Sequence, residues 1–227
     1  INNENKMYDL HVSFIIKLYQ AIVEKYKYDQ KKINFIQLSS VGVYGPPIIP
    51  NQNRIINELS TSREEIMSTY EKTKLLADKY IVNNFNKEIV NYCILRPSQI
   101  IGDYMPNESL SQLLNIINKK LFFYIGKRNA IRAYIHIDDV TESILLILKN
   151  MNGIAKNKIY NISYDNYLED IVEKIIKANK LNYKPLRFSE GFIRFIILTF
   201  NIFKIRLPLT IQRINGLVSR TKYDSDK

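Results

Sequence analysis

Apolar positions along this chain follow first a helical and then an extended period. From His11 to Tyr26, Val12, Phe14, Ile15, Ile16, Leu18, Tyr19, Ala21, Ile22 and Val23 leave little polar surface. The pattern predicts a helix buried on more than one face, against a sheet and, in an oligomer, a partner subunit. Ile33 to Leu38 predicts a strand that ends in Ser39-Ser40, followed by the turn-forming Val41-Gly42-Val43-Tyr44-Gly45-Pro46-Pro47. Residues 48–67 read as a polar loop or short helices. A helix follows from Ser68, on which Tyr70, Lys74, Ala77 and Ile81 share a face. Ile89 to Leu95 predicts a second strand, stopped by Arg96-Pro97. Strand, helix and strand in this order predict a parallel crossover unit, and with it an α/β fold.

Beyond Ser98 the elements shorten. A helix is predicted over Leu110 to Lys120 and a strand and turn over Phe122 to Gly126. Ala133 to Ile137 is extended. A helix over Val140 to Lys149 follows, with Asp138-Asp139 as its cap and Glu142 placed as in a capping box. Ile159 to Ile162 reads as a strand and Leu168 to Ala178 as a helix. Residues 186–216 read as helical, with breaks at Pro208 and Gly216.

Composition narrows the classes. A chain of 227 residues with 46% hydrophobic content can bury a sizeable core. The single cysteine, Cys93, lies in an apolar run. That excludes a disulfide framework or a cysteine zinc cluster and fits a buried thiol in a reducing, cytoplasmic setting. Two histidines are too few for a His-rich metal site, and no metal is expected. The net charge of +11 would suit an anionic partner, but the basic residues are scattered, so no nucleic-acid footprint is expected. Phe192 to Phe203 is too short to span a bilayer and carries Arg194, so no stable membrane insertion is expected. The sequence opens without methionine on a polar Ile1-Asn2-Asn3-Glu4-Asn5, which suggests a fragment.

Candidate chemistry centres on Tyr70 and Lys74. One turn apart on a helix, a phenol and an ammonium meet, and the positive charge favours the phenolate. A phenolate available near neutral pH can take a proton from an alcohol. Three Tyr-x-x-x-Lys pairs occur: Tyr28 with Lys32, Tyr70 with Lys74, and Tyr223 with Lys227. Chance alone gives about two in a chain this rich in both residues, so context must decide. Tyr28 lies in a charged run and Tyr223 in a polar tail. Only Tyr70 follows a strand that ends in hydroxyls and a glycine turn, as in the ligand crevice of a parallel sheet. His136 among apolar neighbours reads as a structural imidazole.

Four segments then stand in one order: Ser39-Ser40-Val41-Gly42-Val43-Tyr44-Gly45, Tyr70-x-x-x-Lys74, Leu95-Arg96-Pro97 with Gly102, and Tyr134-Ile135-His136-Ile137-Asp138-Asp139-Val140. Together they resemble the extended short-chain dehydrogenase/reductase family, the NAD-dependent nucleotide-sugar epimerases and dehydratases. The tail from Leu207 to Lys227 is similar to the late substrate region of nucleotide-sugar members. The resemblance implies a partial Rossmann-type doubly wound parallel sheet whose first strands are missing, with a smaller substrate-binding lobe. Residues 1–97, rejoined by 135–165, would be the remainder of the dinucleotide-binding domain. Residues 98–134 and 166–227 would form the substrate lobe.

The same resemblance implies roles. Tyr70 would be the base, with Lys74 binding the nicotinamide ribose and holding the phenol's pKa down. Ser40 would hydrogen-bond the reacting oxygen. Ser39, Tyr70, Lys74 and Pro97 would face NAD, with NADP an alternative. Ser40, Gln99 and Arg132 would contact the nucleotide sugar, Arg132 at its diphosphate. Helices 11–26 and 70–83 would pair with a second copy as a homodimer. The implied activity is epimerisation of a nucleotide-activated sugar, as in UDP-hexose 4-epimerases, within polysaccharide biosynthesis.

Departures keep alternatives open. The seven glycines form no Gly-x-x-Gly-x-x-Gly turn for the cofactor diphosphate. His11 stands where many members carry Asn, and Val41-Gly42 replaces the Asp-Glu pair of dehydratases. That argues against dehydration and for epimerisation or carbonyl reduction. An inactive remnant lacking the cofactor loop is another reading. A nucleic-acid or anionic-membrane binder is a third, and it predicts steep salt dependence.

Overall fold

A computed structural model of the chain describes residues 3–103, 108–202 and 210–224. In order, the helices are α1 (Asn3–Tyr8), α2 (Phe14–Asp29), α3 (Thr69–Asn84), α4 (Glu108–Asn118), α5 (Ile137–Lys149), α6 (Leu168–Ala178), α7 (Glu190–Ile202) and α8 (Ile211–Val218). The strands are β1 (Ile33–Leu38), β2 (Asn53–Ile56), β3 (Val90–Pro97), β4 (Gln99–Ile101), β5 (Tyr124–Ile125), β6 (Ile131–His136), β7 (Lys158–Ile162), β8 (Tyr164–Tyr167), β9 (Arg187–Phe188) and β10 (Arg220–Tyr223).

The central sheet is parallel, in the order β1-β3-β7, with Leu38 beside Leu95 and Pro97 beside Ile162. All eight residues of β3 are buried, as expected of a strand covered on both faces. On one face Ile15 and Ile22 of α2 and Ala77 and Ile81 of α3 pack over Val90, Tyr92 and Ile94. On the other, Ile147 of α5 and Met151 cover Cys93 and Leu95. Burying a side chain such as Ile81, fully enclosed here, contributes about 1.5–3 kcal/mol. β4, β6 and β8 form a mixed sheet, and β10 pairs with β2, bringing the tail against the first half of the chain.

Several local expectations are corrected. Strand β3 continues through Arg96 and Pro97 instead of stopping before them, because Pro97 sits at its last rung. The first long helix begins at Asn3 and carries a π-helical stretch, Asp9–Ser13, before α2. Only Val12, Ile15 and Ile22 of its apolar positions are buried, while Leu10 and Phe14 face outward, so this chain covers one face of it. Helix α5 is capped by His136, whose Nδ1 accepts from the Asp138 N–H at 3.3 Å, not by an Asp139–Glu142 box. α8 runs through Gly216 to Val218, so that glycine is no break, and Pro208 lies outside the described residues. In α7, Ile193 and Ile197 are buried but Phe192, Phe195 and Leu198 are exposed, so the apolar stripe is only half core. No helix among the described residues is long and apolar enough to cross a membrane.

Candidate active site

Helix α3 begins with a reciprocal cap. The Ser68 side chain accepts from the Glu71 N–H, and a Glu71 carboxylate oxygen accepts from the Ser68 N–H at 2.7 Å. This closes two of the helix's unpaired donors and fixes where Tyr70 emerges. Strand β1 ends beside it. Ser40 caps the short 3-10 turn Val41–Tyr44, its Oγ accepting from the Gly42 N–H at 3.1 Å. A serine hydroxyl has one proton and two lone pairs. With one lone pair engaged by Gly42, the Ser40 hydroxyl faces the Tyr70 phenol, and its influence favours the phenolate.

Lys74 lies one turn below. Its Nζ donates to the Leu38 carbonyl, the last of β1, at 3.0 Å. Burial lowers its pKa and the Asp78 carboxylate, one further turn along, raises it. Burial pushes the Tyr70 phenol above its ordinary range; the Ser40 hydrogen bond pulls it down and Glu71 pushes it up. The expected lowering of this phenol by Lys74 is therefore not found. The ammonium is engaged with a backbone carbonyl at the strand end.

Ser39, Ser40, Tyr70, Pro97 and Gln99 line one crevice of about 510 Å³ at the carboxyl ends of β1 and β3. Lys74 and its partner Leu38 are not among the lining residues; Lys74 stands one turn along α3 from Tyr70. Ser39 has a second commitment: its hydroxyl donates to Asp78 Oδ2 at 2.9 Å. Arg132 is not in the crevice lining. It stands on β6 next to the lining residue Ala133, and its guanidinium donates to the Gly216 carbonyl at 2.7 Å.

Three features escape the sequence reading. Asp78 and Arg96 form a buried ion pair, with Nε to Oδ2 at 2.9 Å and side chains 2% and 8% exposed. Arg96 also donates to the Tyr44 hydroxyl at 2.8 Å, which in turn donates to Asn161. The available signal was two opposite charges in otherwise apolar segments, one of them a turn after Lys74. His11, in the π-helical stretch, lies 2.8 Å from Thr73 Oγ1 and stands edge-on to the Tyr70 ring, centroids 5.5 Å apart. The Thr73 hydroxyl donates to the Tyr70 carbonyl at 3.0 Å, so His11 Nδ1 is the donor to Thr73. Tyr223, dismissed as tail, lines the crevice. Its partner strand β2 has no strong periodicity, which hid both. Lys227, the other half of that Tyr-x-x-x-Lys match, lies outside the described residues.

The arrangement can hold an alcohol oxygen between two hydroxyls, with a cation one turn along α3. Known proteins carry the same frame. The curated relative ArnA, a bifunctional polymyxin resistance protein of Wigglesworthia glossinidia brevipalpis, is 29% identical over 136 residues. That match covers 53% of this chain, and the chain spans about a fifth of that relative's length (21%). The UDP-glucose 4-epimerase of Thermotoga maritima, solved with UDP-glucose, superposes with a TM-score of 0.60 at 16% identity, over 96% of this chain and 71% of its own. The UDP-glucuronic acid 4-epimerase of Bacillus cereus, solved with NAD, gives 0.57 at 16% identity, over 92% and 67%. These two likenesses establish the Rossmann-type fold. The sequence pattern of one family spans residues 1–163, the stretch that carries the Ser40, Tyr70 and Lys74 geometry, and on that match the chain belongs to the NAD dependent epimerase/dehydratase family.

Proposed function

We propose that this chain supplies the catalytic groups of an NAD-dependent epimerase acting on a nucleotide-activated sugar, of the UDP-hexose 4-epimerase kind. The observation that carries the reading is Ser40 and Tyr70 in one crevice with Pro97 and Gln99, with Lys74 a turn along α3 and bound to the carbonyl at the end of β1. The residues fit the nicotinamide-ribose end of the cofactor. Lys74, a half-buried ammonium at the strand end, suits a ribose hydroxyl, and Pro97 suits the ring. They offer no glycine-rich turn for the diphosphate, so no residue of this chain is assigned to it. NAD or NADP, when bound, accepts a hydride from the sugar carbon and returns it.

The chain's own groups handle the proton. Tyr70 takes it from the sugar hydroxyl, and Ser40 holds that oxygen in line. The phenol stands above its ordinary range here, so it needs the positive nicotinamide nearby to become a base near neutral pH. Gln99 contacts the sugar. Arg132, freed from Gly216, would face the diphosphate, for which a guanidinium has the matching fork. Outward Leu10, Phe14, Leu76 and Val82 on α3 and the first helix support a homodimer through this face. Burial pushes the Cys93 thiol up to about 11, an inert group compatible with a cytoplasmic setting.

The test is the full-length protein with NAD and UDP-glucose, followed by chromatography of the sugar nucleotides. UDP-galactose should form, and Tyr70→Phe should abolish it. Oxidation or reduction of a carbonyl substrate without epimer would point to the reductase alternative. Turnover by Tyr70→Phe at the normal rate would refute the reading.

A further inference from the structure

The tail strand β10 ends inside the candidate site. Tyr223 lies opposite Ile56 in the β10–β2 ladder, and its backbone N–H donates to Asp165 Oδ2 at 2.8 Å. Its ring packs against the apolar cluster of Val41, Val43, Tyr44 and Ile56 beneath the Ser40 turn. Backbone and ring are thus fixed. The hydroxyl is not: among the described residues it has no hydrogen-bond partner, yet it is not sealed from solvent. A half-buried phenol with no partner in the protein is met by water or by a ligand, and a ligand that displaces that water must supply the hydrogen bond. Tyr223 borders the crevice that also holds Ser40 and Tyr70, so whatever occupies that crevice is the partner within reach.

We propose that Tyr223 is a substrate-orienting residue, its hydroxyl hydrogen-bonding a hydroxyl of the sugar held against Ser40 and Tyr70. The proposal rests on the nucleotide-sugar reading above. Burial and the neighbouring Asp165 and Glu71 carboxylates hold this phenol up to about 12, against the pull of Arg54. It therefore stays protonated and acts as a donor, not as a second base. Its place on the last strand makes the tail part of the specificity wall, facing the sugar and not the nucleotide.

Tyr223→Phe in the full-length protein removes the oxygen and keeps the ring. Loss of one uncharged hydrogen bond should raise the KM for UDP-glucose about tenfold and leave kcat within about twofold. Calorimetric binding should show UDP-glucose weakened by the same factor and UDP alone unchanged. Tyr223→His, which keeps a ring and a donor, should lose less. UDP-glucose binding unchanged in Tyr223→Phe, equal weakening of UDP, or an equal loss in Tyr223→His would each overturn the role. If the unaltered protein failed to bind UDP-glucose, the parent reading would fall with it, whereas a failure confined to the variants would spare that reading.

Discussion

The ammonium of Lys74 is anchored on the Leu38 carbonyl, 3.0 Å away, so the end of the neighbouring strand fixes its position. The anchor accepts a single N–H. A guanidinium is a planar fork and cannot replace it without moving. Lys74→Met should therefore loosen the cofactor ribose and raise the KM for NAD about tenfold, and Lys74→Arg should not restore it. Initial rates of UDP-galactose formation at varied NAD read both. Rescue by arginine to near the normal KM would show that only net charge matters.

Ser40 pulls the Tyr70 phenol down against its burial. Ser40→Ala should move that phenol further up, shifting the ionisation seen in alkaline difference absorbance to higher pH. Tyr70→Phe identifies which phenol moves. The same substitution should slow turnover by about 10–10² at neutral pH, since the phenolate becomes scarcer. An unshifted phenol would remove Ser40 from the site's electrostatics.

Asp78 and Arg96 sit in the protein interior with side chains 2% and 8% exposed. Removing one partner leaves the other charge buried and uncompensated, at a cost of about 3–5 kcal/mol. Asp78→Leu should lower the urea midpoint accordingly. Asp78→Leu combined with Arg96→Met should recover much of the loss, although Ser39 and Tyr44 lose partners in the process. Losses that simply add would show that the two charges are not coupled.

His11 has its pKa lowered from 6.5, by burial first and by the Lys74 charge second. The folded state thus binds a proton less readily than the unfolded chain, whose imidazole titrates near 6.5. Stability should be level above that value and should fall as pH drops from about 6.5 to the lowered pKa, then level off. His11→Asn should flatten this slope, and Lys74→Met should shrink it. Urea midpoints measured from pH 7.5 down to 5 give the comparison. A slope that survives in His11→Asn would belong to another group.

Much of the frame was legible because its elements are long and strongly patterned. Ile33 to Leu38 and Leu168 to Ala178 are a strand and a helix with the expected bounds, and Tyr70 and Lys74 lie one turn apart on α3. The Ser40 hydroxyl meets Tyr70 because a parallel strand and its crossover helix bring those ends together. Strands β2, β8 and β10 were not legible: they draw their stability from partners far away in sequence, and local periodicity carries no trace of those. The helix caps misled for a similar reason. Asp139 and Glu142 have the right spacing, but His136 already accepts from the Asp138 N–H in the first turn of α5. The missing pull of Lys74 on Tyr70 depends on which way a long side chain turns, and spacing cannot supply that.

The pairing of residues 220–223 with 53–56 joins opposite ends of the chain. Contacts this distant in sequence are the kind that slow folding. In synthesis order Ser40, Tyr70 and Lys74 precede β10 by about 150 residues. The proposed sugar contact at Tyr223 thus depends on a strand made well after the residues it would serve.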